Sequence, residues 1–186
     1  NQMKHSRRRR LGTSRKWVMS LSIDLLDSKK HDRTLFNCGD DRLDDYIKTR
    51  ASQELKKKVS TPFVLTDSPD RQVLGYYCIS SYSIAMVEIE TSISKKLPRY
   101  PLLPAMLLGR LAVDSGHQGK LYGQRLLLDA LKRSRDISRQ VATVAVVVDA
   151  KGDDAVNFYR RYGFTEFQTD PLKLYLPMES IEKLSL

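Results

Sequence analysis

The sequence predicts a mixed α/β domain, one central sheet carrying helices on both faces. Short β-branched and aromatic runs alternate with stretches of helical periodicity from residue 21 onward. Two of those runs, around residues 106–113 and 141–148, are nearly continuously apolar, as strands covered on both faces are. Neither a repeat nor a linker composition divides the chain. At 186 residues it is long enough to bury a core without disulfides or metal staples.

The elements follow in order. Leu21 to Leu25 alternates as a first strand. Asp40 and Asp41 after Cys38-Gly39 are helix starters, because a carboxylate accepts the amide protons left unpaired at a helix start. Leu43, Tyr46, Ile47, Ala51 and Leu55 then recur at helical spacing. Lys56-Lys57-Lys58 ends that helix with cations at its negative pole. Phe63–Thr66 is a strand, Ser68-Pro69-Asp70 its turn, and Val73–Ser83 a longer strand containing Gly75. Gly75 and the paired tyrosines beside it suit a groove or ordinary sheet packing.

Between Met86 and Tyr100 the pattern weakens, and Pro98, Pro101 and Pro104 predict a crossing loop with short extended pieces. Met106–Val113 is the most strand-like buried run; it ends at Asp114 and leads through Ser115-Gly116-His117-Gln118-Gly119 into a helix. Leu126, Leu127, Ala130 and Leu131 are that helix's inner stripe. Val141–Val148 is a further buried strand. Asp153-Asp154 starts a helix through Tyr162, which Gly163 terminates in the left-handed conformation. Phe164–Phe167 and Leu172–Leu176 complete the sheet.

The net charge of +10 is concentrated at the start. Residues 1–18 carry Lys4, Arg7–Arg10, Arg15 and Lys16 with no acid. They read as a basic N-terminal extension, a flexible tail or a phosphate-attracting arm, and residues 19–186 as a single domain. Apolar runs are too short to span a bilayer, no signal-peptide stretch follows the basic start, and two distant cysteines form no disulfide framework. A cytoplasmic location is expected.

Chemistry is concentrated in two places. The strand–turn–helix from Leu107 to Leu131 carries Gly119 and Gly123, where the backbone approaches a ligand closely. Amides at such a helix start converge on an anion, with Gln118 as a polar contact and Lys120 as a point charge. It is neither a nucleoside-triphosphate loop nor a full dinucleotide glycine pattern. The second place is Asn157-Phe158-Tyr159-Arg160-Arg161-Tyr162-Gly163-Phe164. Here Phe158 is expected in the core and Tyr159 toward a cleft beside the first helix, with Tyr162 and Phe164 packing and Arg160 and Arg161 facing solvent or nucleic acid. His31 and His117 are isolated, no metal-ligand cluster emerges, and Cys78 has no readable histidine partner. Glu88, Glu90 and Asp114 are expected as surface carboxylates.

These segments resemble the GCN5-related N-acetyltransferase superfamily over residues 21–176, especially small bacterial toxins that acetylate aminoacyl-tRNA. The resemblance rests on Leu111-Ala112-Val113, on Gln118-Gly119-Lys120-Leu121-Tyr122-Gly123, and on the run from Asn157 to Phe164. Phe36-Asn37-Cys38-Gly39 with Leu43-Asp44-Asp45-Tyr46-Ile47, and Pro62-Phe63-Val64 after the lysines, look like the toxin subgroup. It implies a splayed central sheet holding acetyl-CoA, and no metal. Leu111 and Val113 would offer backbone groups to the pantetheine arm, and Gln118, Gly119, Lys120, Tyr122 and Gly123 would surround the pyrophosphate. Asn157 would lie near the cofactor, and Tyr159 would protonate the departing thiolate. Leu121 departs from the family pattern, which has glycine there.

The resemblance further implies a cognate DNA-binding antitoxin and a homodimer. Arg50, Lys56–Lys58, Arg110, Arg133, Arg160 and Arg161 are available as a phosphate-binding surface for aminoacylated tRNA. A small-molecule or protein N-acetyltransferase, a noncatalytic RNA-binding module and a purely structural domain stay open as alternatives.

Overall fold

The alternating runs fold into seven strands: β1 (Leu21–Leu25), β2 (Thr61–Asp67), β3 (Val73–Ala85), β4 (Leu102–Val113), β5 (Ala145–Asp149), β6 (Thr165–Glu166) and β7 (Lys173–Pro177). They form one sheet in the order β1-β2-β3-β4-β5-β7-β6. The structure is a computed structural model describing residues 20–67, 71–89 and 91–186. The basic extension over 1–18, the expected turn at Ser68-Pro69-Asp70, and Glu90 lie outside the described residues.

The helices are α1 (Asp41–Asp45), α2 (Ala51–Lys56), α3 (Thr91–Ser94), α4 (Tyr122–Ser138), α5 (Asp153–Arg160) and α6 (Met178–Glu182). Alternation along the strands sorts the apolar side chains into layers. Leu126, Leu127, Ala130 and Leu131 of α4 pack with Val156 and Tyr159 of α5 and Ile181 of α6 on one face of the sheet. On the opposite face Tyr46, Ile47 and Ala51 cover Val64, Tyr76, Cys78 and Ala112. Further along that second face, Ile89 packs with Ile84, Ala105, Val147 and Tyr175. Helices on both faces are as the sequence predicts.

The feature that creates a site is where two central strands part. β4 and β5 run parallel but pair only at Met106↔Val146, Leu107↔Val147 and Leu108↔Val148. β4 continues through Gly109–Val113 bonded to β3 alone. On its β3 side the register slips between Cys78 and Ile79, leaving Gly109 as an extra residue; such a bulge bends a strand. In an antiparallel pair, successive residues direct their backbone groups to opposite sides. The Asp114 amide bonds the Leu74 carbonyl of β3 at 2.9 Å. Counting back by twos, Ala112 and Arg110 also face β3, so Leu111 and Val113 turn their N–H and C=O groups into the gap. These are the two residues expected to offer backbone groups there.

Several expectations change in detail. The helix expected over Asp41–Lys58 is interrupted by a π turn at Tyr46–Arg50, where the Ala51 amide bonds the Tyr46 carbonyl. Arg33 stabilises this register, its Nη1 donating to the Ile47 carbonyl and to Ser52 Oγ, both at 2.9 Å. The strand expected from Val141 begins at Ala145, because the Val141 amide still bonds back to Ile137 as the chain leaves α4. β4 starts earlier than expected, at Leu102. Pro104 is tolerated there because it lies below the level at which β5 begins. The weak stretch after Met86 contains a 3₁₀ turn at Met86–Glu88 and the short α3.

Gly75 lines no groove. It lies under α4, where an added methyl group would stand 2.9 Å from a Leu126 methyl carbon and 3.0 Å from the Ala112 carbonyl. The carbonyl belongs to the β3–β4 ladder and cannot retreat. Gly75→Ala is therefore expected to destabilise the fold by about 1–3 kcal/mol, measured as a lower urea midpoint with unchanged slope.

Candidate active site

The site is assembled at the end of β4. Asp114 is buried, contrary to the expectation of a surface carboxylate, and accepts the amides of Asn37 and Gly116 at 3.0 Å each. His117 Nδ1 lies 3.1 Å away. Burial works to raise the Asp114 carboxyl, but the Asn37 amide, the His117 ring and the Gly116 amide outweigh it and hold it below its ordinary value. The Ser115 amide adds a 2.7 Å bond to the Asn37 carbonyl. Together these fasten the loop before α1 to the end of β4.

The chain then turns back on itself. Gly119 has φ +77° and Leu121 φ +61°, left-handed conformations on either side of Lys120. α4 starts immediately afterwards, and no side chain caps its first amides. An uncapped helix start exposes several N–H donors and the positive end of the helix, equivalent to about half a charge. Leu121 departs from glycine yet keeps the backbone conformation glycine favours. Its side chain is 72% exposed and stands at the rim, so it does not obstruct the gap. For leucine that conformation costs about 1–2 kcal/mol.

A cavity of about 500 Å³ opens against this helix start. Val113, Gln118, Gly119, Tyr122 and Gly123, named above for the cofactor, line it. Gln118 Nε2 is 3.3 Å from the Val113 carbonyl and 3.4 Å from that of Cys38, so this side chain bridges turn and strand. At Gly123 an added methyl would make only ordinary contacts with Phe158 and Val113, at 3.9 Å. Lys120 is exposed and off the cavity wall. Asn157 is exposed too, its side-chain oxygen 3.5 Å from Arg160 Nη1, and it does not line the cavity. The opposite wall comes from residues not assigned to the cofactor by sequence reasoning: Phe158, Arg161 and Tyr162, with Gln124 beside them. Arg161 has no ion pair among the described residues, so its charge is free to meet an anion. The signal was present, because positions three and four apart on a helix share a face.

On α5 the expected roles of two aromatic neighbours are exchanged. Tyr159 is 7% exposed and packed in the core, while Phe158 is half-buried and lines the cavity. Val156 and Tyr159, three apart, share the face toward the sheet; Phe158 sits about a quarter-turn away, toward Gly123. The Tyr159 ring is held by Phe158 at 5.2 Å and Phe164 at 5.4 Å between centroids. Its hydroxyl makes no hydrogen bond among the described residues. Burial, and then the Asp149 carboxylate, push its pKa up, so the phenol stays protonated.

Other chemistry is absent from the described residues. No group of three or more metal-ligating side chains occurs there, and no helix is long and apolar enough to cross a membrane. Both cysteines are free. Burial pushes the Cys78 thiol up to about 11, which leaves it a poor nucleophile. Of the eight expected surface cations, Arg50, Arg110, Arg133 and Arg160 are paired with Asp45, Glu54, Asp129 and Glu166. Lys56, Lys57 and Lys58 have no ion pair among the described residues.

Residues 61–166 match the family described as the Acetyltransferase (GNAT) domain. The chain is 31% identical to a probable toxin TacT of Sinorhizobium fredii, over 87% of this chain and 93% of that protein. It is 34% identical to a tRNA-acetylating toxin of Mycobacterium tuberculosis, over 84% and 92%. It also superposes on AtaT complexed with acetyl-methionyl-tRNAfMet, with TM-score 0.82, 29% identity, and 88% and 98% of the two chains covered. A tyrosine-to-phenylalanine variant of AtaT bound to acetyl-CoA and the C-terminus of the antitoxin AtaR gives TM-score 0.74 at 27% identity, covering 87% and 96%.

Two outcomes follow from this geometry. Leu121→Gly is expected to raise stability by up to about 1 kcal/mol, relief of the left-handed backbone being partly offset by glycine's greater freedom when unfolded; thermal unfolding reads it. The depressed Asp114 carboxyl contributes stability that is complete above its ordinary value of 3.8 and is lost as pH falls through the lower folded-state value. Urea midpoints should drop below about pH 4, and Asp114→Asn should remove part of that drop.

Proposed function

This chain belongs to the acetyltransferase (GNAT) domain family, and we propose on that premise that it transfers acetyl from acetyl-CoA to the α-amino group of an aminoacyl-tRNA, blocking translation as a toxin. The observation that carries the catalytic half is the parting of β4 from β5 beyond Leu108 and Val148, with an uncapped helix start at its mouth. The acceptor rests on similarity along nearly the whole chain to a tRNA-acetylating toxin and to a toxin solved with acetyl-methionyl-tRNA.

The residues fit acetyl-CoA, whose thioester supplies the activated acetyl group. The amides from Gly119 to Gln124 meet its pyrophosphate, helped by the α4 pole and the free charge of Arg161. Lys120 adds a long-range charge, and Asn157 acts from outside the cavity wall. Leu111 and Val113 hold the pantetheine amides as an additional strand would, and a β4 amide polarises the thioester carbonyl. Gln118 competes for the Val113 carbonyl in the structure and swings aside for the pantetheine. Tyr159 donates its proton to the departing thiolate; burial and Asp149 hold it in the protonated form that role requires. Acetylation removes the amine's charge and nucleophilicity, so the aminoacyl group can no longer form a peptide bond.

The free lysines at the end of α2 attract the tRNA backbone; the arginines that are paired serve the fold first. An antitoxin partner, on this reading a DNA-binding one, is supported as a partner by the AtaT complex with the C-terminus of AtaR. A homodimer in the cytoplasm completes this reading.

Labelled acetyl-CoA incubated with pooled charged tRNA should yield N-acetyl-aminoacyl-tRNA, identified by mass, and uncharged tRNA should stay unlabelled. Label transfer only to polyamines or peptides would overturn the acceptor assignment. Tyr159→Phe should keep the fold and acetyl-CoA affinity while lowering kcat by about 100-fold or more. Unchanged turnover would remove Tyr159 from the mechanism.

A further inference from the structure

The gap between β4 and β5 opens on two faces of the sheet. On one lies the cavity against α4 and α5. On the other, Tyr46, Ile47 and Ala51 cover the β2–β4 side, and Met86, Ile89 and Ile93 cover the far side.

Asp149 is the last residue of β5, one position beyond the final β4–β5 rung at Leu108↔Val148, so it stands where the strands part. Alternation along β5 sends Val146 and Val148 into the α4–α5 core and Val147 to the second face. Asp149 therefore shares the second face with Val147. It is exposed and has no hydrogen bond or ion pair among the described residues. Its register partner on β7 is Lys173. The Lys173 Nζ donates to the Tyr82 hydroxyl, from β3, at 2.9 Å, so the two side chains together bridge β5 and β4. Lys173 is half-buried, and Tyr82, Asp149 and Glu88 keep it charged against that burial.

A carboxylate at the inner end of the gap and an ammonium from its register partner thus share the face opposite the cavity. The acceptor described under the proposed function presents a matching pair of groups: an α-amine, and a few bonds away the ribose and phosphate of the terminal nucleotide. We propose, resting on that function, that Asp149 and Lys173 form the acceptor subsite, Asp149 binding the α-amino group and Lys173 the ribose–phosphate end, with Tyr82 positioning Lys173.

Asp149 then also serves the chemistry. As the amine lone pair forms the C–N bond, positive charge grows on nitrogen beside the carboxylate. The C–S bond breaks and its electron pair leaves on sulfur, which takes the Tyr159 proton. The nitrogen proton passes to Asp149 and on to water, and water returns a proton to Tyr159. Overall one proton moves from nitrogen to sulfur.

The test is steady-state acetylation of charged tRNA by Asp149→Asn, Asp149→Glu and Lys173→Met, alongside calorimetric titration with acetyl-CoA and thermal unfolding. Asp149→Asn should lower kcat by about 100-fold with acetyl-CoA affinity and melting temperature unchanged, and Asp149→Glu should recover part of the loss. Lys173→Met should raise KM for charged tRNA by about tenfold and leave kcat nearly intact. Turnover of Asp149→Asn within twofold of wild type overturns the subsite, as does a loss matched by equal loss of acetyl-CoA binding. A free amino-acid ester as second acceptor separates the two readings. A wild-type enzyme that acetylates the ester but no charged tRNA overturns the proposed function and still reads Asp149 on the ester. One that acetylates neither overturns both.

Discussion

The structure depends on two neighbouring central strands keeping only three rungs of pairing. Unpaired backbone groups inside a protein are costly, and a sheet normally spends all of them on its ladder. Here the gap beyond Leu108 and Val148 withholds the Leu111 and Val113 groups from β5. The extra residue at Gly109 bends β4 away, and the helices of the first face stay attached on both sides of the opening. The gap is therefore a built feature of a well-packed sheet. A ligand with amides along its length can take the place of the missing strand.

Holding such an opening apart requires bracing at its mouth. Asp114 joins the end of β4 to the loop before α1 through the Asn37 amide. Across the opening, Lys151 Nζ, just past β5, reaches Asp40 Oδ2 at 2.8 Å. Asp40 also caps α1 by accepting the amides of Arg42 and Leu43. A single loop, 37–40, thus touches the ends of both parted strands. Its worth lies in geometry, because an exposed ion pair contributes little on its own.

The fold was largely legible, since burial on both faces leaves a simple pattern in Met106–Val113 and Val146–Val148, and the inner stripe of α4 has strict helical spacing. What stayed hidden depends on contacts distant in sequence. The π turn needs Arg33 at the Ile47 carbonyl, fourteen residues away, and no local pattern announces it. The late start of β5 follows from how far α4 winds before releasing the chain. At the site, the turn from Gln118 to Gly123 was readable because glycine and an uncapped helix start are local signals. The exchange of Phe158 and Tyr159 was not, because it is set by how α5 packs against the sheet and against Gly123 of another helix. Arg161 is exposed as expected, but its place on the cavity wall without a carboxylate partner is known only once the neighbouring acids are placed.

Burial of Tyr159 bears directly on how it can act. A phenol in the cleft would exchange protons with water and lie close to its ordinary acidity. Here the ring is packed between Phe158 and Phe164, and its hydroxyl has no hydrogen bond among the described residues. Asp149 sharpens this by opposing ionisation of the phenol from the far side of the strands. On the proposed reading, the carboxylate that faces the acceptor amine also favours the protonated form of the phenol. In that proposal one charge at the end of β5 bears on both proton movements, because it stands where β4 and β5 part.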